Sequence, residues 1–202
     1  MRLIPILIFA VVSACGQQHE VGLTLGRFAG VAREAPGSKL DLGSGTALQA
    51  NYGYRLLGGR VAALYGEVHF LASAQRVVDS TTLSVTRDVA SLYVTPGVRV
   101  KFLAKSPISP YVAFGGGLAW YEQSRTNLSG AANGAPRETY RGALAFDGGI
   151  DFPLWRFVGL RAEVRDFYTG SPAYNSALLR GGQHNVVAGG GFVLRVGRGE
   201  AK

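Results

Sequence analysis

The chain has 202 residues, enough for one domain with or without a leader. Its formal charge is +8, but the basic residues are spread through alternating apolar stretches and form no dense patch, which excludes a nucleic-acid-binding surface. One cysteine excludes an internal disulfide, and 29 glycines without a Gly-X-Y period, against a usual share of roughly 7%, point to β structure with tight turns.

Residues 1–16 carry one positive charge, a short apolar core and then small residues. That is the pattern of an export signal, too short to persist as a spanning helix. Val12-Ser13-Ala14-Cys15 also has the form of a lipobox, in which Cys15 would carry a lipid anchor; cleavage after Gly16 is the simpler reading. No later window holds an uninterrupted apolar run of helix-spanning length, so membrane residence would rest on strands.

Period-two alternation then recurs along the chain. The first strand, 20–29, sets Val21, Leu23 and Leu25 against Gly22, Thr24 and Gly26. Residues 32–39, with Pro36-Gly37-Ser38, read as a loop. The second strand runs to Leu57 and ends at Gly58-Gly59, read as a two-residue turn of the primed type. The third sets Leu64, Val68 and Phe70 against Tyr65, Glu67, His69 and Ser73, with a polar loop near Asp79. In the fourth, Leu92, Val94, Pro96, Val98, Val100 and Phe102 alternate with Ser91, Tyr93, Thr95, Gly97, Arg99 and Lys101. Pro96 predicts a bulge or a missing ladder bond there.

The fifth strand, 110–121, is the most telling. Val112, Phe114, Leu118 and Trp120 form an oily face; Ala113, Gly115, Gly117 and Ala119 form a narrow one between Tyr111 and Tyr121. Neither face carries charge, which suits a lipid-facing wall and a confined lumen. After the long polar stretch 123–138, the sixth strand sets Leu144, Phe146 and Ile150 against Asp147 and Asp151. The seventh sets Val158, Leu160 and Val164 against Arg161, Glu163 and Arg165. A second long loop, 170–183, precedes an eighth strand through Val196. Connections at 58–59, 104–109 and 153–156 are short while the others are long and polar, the alternation of an outer-membrane barrel. A soluble lipocalin-like barrel would turn its charges outward, whereas here they share the face of the small residues.

The expected fold is therefore all-β: an eight-stranded antiparallel up-and-down transmembrane β-barrel over 17–197, followed by a polar tail, 198–202. Arg55, Glu67, His69, Arg99, Lys101, Asp147, Asp151, Arg161, Glu163 and Arg165 are expected to face the lumen as an interlocking ion-pair network, because a lone charge in so narrow a space is costly. A polar conduit or a buried acid–base group is the functional alternative. Tyr54, Phe102, Trp120, Phe152, Trp155 and Tyr168 divide by height into two aromatic girdles. Arg33, Lys39, Arg76, Arg125, Arg137 and Arg180 fall in or beside the long loops, where arginine geometry suits lipopolysaccharide phosphates.

Enzymatic chemistry is weakly represented. No Gly-x-Ser-x-Gly elbow occurs, Gly115-Gly116-Gly117 opens no helix, and three dispersed histidines offer no metal spacing. His69 shares lumen parity with Glu67 and Ser73, while His19 and His184 have no serine in register for a lipid-facing triad. No cofactor is expected.

With these features in place, the chain resembles the eight-stranded outer-membrane barrels related to the transmembrane domain of outer-membrane protein A. The resemblance rests on Pro110-Tyr111-Val112-Ala113-Phe114-Gly115-Gly116-Gly117 and on Gly159-Leu160-Arg161-Ala162-Glu163-Val164-Arg165-Asp166-Phe167-Tyr168. It implies a monomer in the bacterial outer membrane, folded by the barrel-assembly machinery, with a structural or surface-interaction role through the long loops or at most a narrow pore. A lipid A-modifying barrel enzyme and a soluble ligand-binding barrel are the alternatives. Two departures stand out. The last strand ends Phe192-Val193-Leu194-Arg195-Val196 rather than on a terminal aromatic, and no peptidoglycan-binding domain follows.

Overall fold

The structure is a computed structural model that describes residues 19–35, 38–59, 61–104, 106–172, 174–176 and 181–196. The leader with Cys15, Arg180 and the polar tail lie outside the described residues. Ten strands follow one another: β1 (His19–Phe28), β2 (Val31–Ala35), β3 (Ser38–Leu42), β4 (Thr46–Gly58), β5 (Ala62–Ser80), β6 (Asp88–Phe102), β7 (Ser109–Gln123), β8 (Glu138–Pro153), β9 (Val158–Gly170) and β10 (Gly182–Val196). Eight of them, all except β2 and β3, pair antiparallel with their neighbours, and β1 pairs with β10 to close the ring. The eight strands expected from alternation are those of the ring.

Parity runs as the sequence pattern requires. Leu23, Leu25, Leu48, Val98, Phe114 and Leu118 point outward, Leu25 being 63% and Leu118 61% exposed. Arg99, Asp147, Asp151 and Arg161 are buried inside. A shift of one residue would exchange the two sets, so the side-chain pattern itself pins the register.

Apart from a register shift at the β4–β5 corner, the wall carries two local irregularities. Between β6 and β7 the pairing stops after Val94↔Leu118 and resumes at Gly97↔Gly115 without a shift in register. Pro96 has no amide hydrogen to give, so the interruption is the missing ladder bond expected of a mid-strand proline. Glycines let the two backbones approach there: a Cβ on Gly115 would sit 2.9 Å from the Pro96 carbonyl oxygen, and one on Gly117 would drive into that of Val94. The second irregularity is a bulge in β5 between Ser73 and Arg76. It reverses inside and outside for the rest of that strand.

Three expectations are corrected. Residues 32–39 are not a plain loop: β2 and β3 form a hairpin that pairs onto the upper part of β5, through Leu40↔Ser80 and Leu42↔Val78. Asp79 accordingly belongs to β5 rather than to a polar loop. Gly58-Gly59 are not the central residues of the β4–β5 turn, because Gly58 is paired with Ala63, the amide of Gly59 donates to the Ala62 carbonyl, and neither glycine has a positive φ. A register shift between Arg55 and Leu57 takes up the difference.

Candidate functional site

The lumen is filled in two storeys of different chemistry. The lower storey, toward the short connections, is ionic. Arg161 and Asp151 are directly opposed on β9 and β8, as are Arg165 and Asp147, so each pair meets across one ladder rung. Arg161 grips Asp151 with two bonds, Nε to Oδ1 at 2.7 Å and Nη2 to Oδ2 at 3.0 Å. Arg165 reaches Asp147 at 2.6 Å and Glu67 at 3.2 Å. Lys101 bridges Asp151 and Glu20, at 2.6 Å each. Arg99 donates to Glu20 at 2.7 Å, and its Nε lies 2.9 Å from Glu67 as an ion-pair contact without hydrogen-bond alignment. Tyr65 and Tyr111 line the cations: the Arg99 guanidinium lies 4.8 Å from the Tyr65 ring, and that of Arg161 4.7 Å from Tyr111.

Four buried cations, Arg99, Lys101, Arg161 and Arg165, face five buried carboxylates, Glu20, Glu67, Asp147, Asp151 and Glu163. Arg195 at the lower rim, 3.5 Å from Glu20, supplies the fifth positive charge. This balance is what a narrow, poorly hydrated space demands of buried charge.

The structure thus brings together eight of the ten residues expected in the lumen network, and two stand apart. Arg55 sits half-buried at the short-turn rim, its guanidinium against Gly58, and joins none of these ion pairs. His69 is buried, but neither ring nitrogen has a hydrogen-bond partner and its ring leans on Phe167 at 5.8 Å. Glu163 is also bound differently from its i+2 spacing with Arg161 and Arg165. It accepts from the hydroxyls of Thr24 and Tyr111, both at 2.8 Å, because its neighbours on β9 turn to the acids of β8. Glu20, the carboxylate with most cations around it, is missing from the expected set. Its parity with Gly22 and Thr24 was the signal that pointed inward.

The upper storey, toward the long loops, is built around aromatic rings, with hydrogen-bonded polar side chains among them. Tyr93 is its centre, 4.5 Å from the Phe167 ring and 6.3 Å from Phe28, with its hydroxyl 3.1 Å from that of Tyr121. Leu40 and Leu42 of the β2–β3 hairpin, Val78, Val85 and Tyr174 pack on top as part of one buried cluster. Burial pushes the Tyr174 phenol above its usual pKa, and its hydroxyl donates to Gln183. Arg76, expected among the loop cations, lies here instead: 2% exposed, its guanidinium 4.4 Å over Phe28 and bonded to Asn185 at 3.0 Å. The β5 bulge turns it inward.

The long connections interlock above this core. The Thr86 amide donates to the Tyr174 carbonyl, Leu128 to Val85, and Asn175 Nδ2 to the Ser84 carbonyl. Asn127 Nδ2 reaches Ser84 at 2.8 Å and Asn133 Nδ2 reaches Thr86 at 3.1 Å. Of the other loop cations, Arg137 pairs with Glu122, while Lys39 and Arg125 are exposed. On the outer wall, Trp120 stacks on Tyr140 near the loops, with Tyr168 at the same end; Tyr54, Phe102, Phe152 and Trp155 lie toward the short turns. His184 Nδ1 lies 2.6 Å from Asp166 on the outside, and among the described residues no hydroxyl bonds to that imidazole. Nor do the described residues hold a group of three or more His, Cys, Asp or Glu side chains placed to bind a metal.

No family model matches the chain, and no curated protein does. Solved structures do. The outer membrane protein OprG from Pseudomonas aeruginosa matches with a TM-score of 0.61 at 15% identity, over 91% of this chain and 97% of that one. Neisserial surface protein A matches with a TM-score of 0.52 at 14% identity, over 89% of this chain and 97% of that one. The chain therefore has the fold of the small eight-stranded outer-membrane β-barrels, as its sequence resemblance implied.

Proposed function

We propose that this is a non-enzymatic integral protein of the bacterial outer membrane, a closed barrel that serves envelope structure or surface interaction through its loop cap and not an open channel. The observation that carries the reading is the pairing of an oily outside with a doubly filled inside. A soluble domain rarely leaves so large a continuous apolar surface in water, whereas a lipid bilayer requires one. The ionic storey and the aromatic storey occupy the lumen in series, which supports a non-conducting barrel over a narrow pore. Lys39 and Arg125, exposed on the loop face, are the groups we assign to lipopolysaccharide phosphates.

Gel mobility of a membrane fraction with and without boiling tests residence and closure together. The expected result is a detergent-extracted band whose migration changes on heating. Purified protein in a planar bilayer should give no stepwise conductance; regular open-channel steps would reject the closed lumen. The His184–Asp166 pair keeps one enzymatic reading in view. Mass spectra of lipid A with and without the gene should be identical, and a changed acylation pattern would replace the proposal by a lipid-modifying barrel.

A further inference from the structure

We propose that the short-turn end of the barrel is a cationic collar that seats on anionic phospholipid headgroups of the leaflet facing it. The inference rests on the membrane-barrel reading above and adds which end of the molecule holds lipid charge. Its basis is an asymmetry. Among the described residues, the acids outside the buried network, Glu34, Asp41, Asp79, Asp88, Glu122, Glu138 and Asp166, all belong to strands or strand ends on the long-loop side. There they sit among the cations, and Arg87 and Arg137 are ion-paired with two of them. At the opposite end the described charged residues outside the network are Arg55 and Arg156, with no carboxylate, while Arg195 is spent on Glu20. The sequence of the same connections adds Arg60 and Lys105, and again no acid. Positive charge with no carboxylate beside it is thus found at the short-turn rim, whereas the cations of the long-loop side have acids among them.

Its distribution identifies the class of partner. Arg55 stands at the β4–β5 corner and Arg156 at the β8–β9 corner on the far side of the ring. Charges spaced around a circumference cannot converge on one compact ligand, but they match a plane of phosphates. Beside them lies an apolar skirt at the same height, with Trp155 and Val61 both 72% exposed and the Arg156 guanidinium 5.0 Å over Phe157. Aromatic rings at headgroup depth and arginines reaching past them to phosphate are the two halves of an interfacial anchor. Basic residues near a membrane surface are drawn to anionic lipid in a manner that salt screens.

The test uses the full folded chain in vesicles of phosphatidylcholine alone and of phosphatidylcholine mixed with phosphatidylglycerol, reading the temperature at which the heat-shifted gel band is lost. In low salt the midpoint should be higher in the anionic vesicles by roughly 2–4 °C, and high salt should abolish the difference. Arg55→Gln with Arg156→Gln should remove the difference while leaving the midpoint in neutral vesicles unchanged. Lys39→Gln with Arg125→Gln, at the loop end, should keep it. Equal wild-type midpoints in the two vesicles, a difference that survives the collar substitutions, or one abolished by the loop substitutions would each overturn the proposal. So would stabilisation by a soluble anionic cell-wall fragment in place of phosphatidylglycerol. A chain that never acquires the heat-shifted form even in neutral vesicles would reject the barrel reading itself, which separates the two failures.

Discussion

Glu20 and Arg99 stand 79 positions apart in the chain and meet at 2.7 Å across the lumen, Arg99 fully buried and Glu20 nearly so. The contact joins the first strand of the ring to β6, which lies on the far side of the lumen. Glu20→Gln would keep the shape and leave Arg99 and Lys101 short of negative charge. Breaking a buried pair from one side costs about 3–5 kcal/mol. Urea titration of the folded band in gels should show that loss, whereas Arg87→Gln, an exposed ion-pair partner, should change stability by less than about 1 kcal/mol.

Phe167→Ala should be comparably severe for a different reason. The ring lies between Tyr93 and His69, so its removal leaves a hole at the junction of the two storeys. An aromatic-to-alanine change in a packed core costs about 3–5 kcal/mol. The same variant provides the stricter conductance test: its current noise in a bilayer should rise above that of the wild type.

Gly117→Ala should disrupt the β6–β7 seam, because the added methyl meets the Val94 carbonyl with no flexible side chain to yield. A loss of about 3 kcal/mol, at the upper end for overpacking, is expected. Gly148→Ala is the matched control: nothing lies within 4 Å of the new atom, and stability should be unchanged or slightly raised. Equal effects at the two glycines would reject the close approach of the strands.

Leu42→Ala should loosen the hairpin without opening the ring. Leu42 is buried against Val78, yet β3 meets the barrel through only three rungs on β5. Limited proteolysis should cut the variant faster between β2 and β3, while the heat-shifted band persists.

Much of this was legible from alternation alone. Arg99 and Lys101 of β6, Asp147 and Asp151 of β8, and Arg161, Glu163 and Arg165 of β9 could be assigned to the lumen because those strands alternate without a register shift against β7, β8 and β9. The errors fall where regularity fails. Arg76 follows the β5 bulge, so counting by twos from Glu67 puts it outside when it is inside. The β2–β3 hairpin carries Leu40 and Leu42 at period two, but Pro36-Gly37 beside it outweighed so short a signal. Arg55 and His69 had the right parity and the wrong company, since parity gives direction and not distance. The aromatic storey could not be read at all: Phe28, Tyr93 and Phe167 come from β1, β6 and β9, and only the closed ring places them together.

On the outer-membrane reading proposed above, the cross-bonded loops alter what an external observer of the cell would encounter. Ser84, Thr86 and Val85 are tied at once to two other connections, so neighbouring epitopes on this face are assembled from segments far apart in the chain. Antibodies raised against any one loop as a linear peptide should bind the boiled protein and miss the folded one. Sera raised against intact barrels should do the reverse.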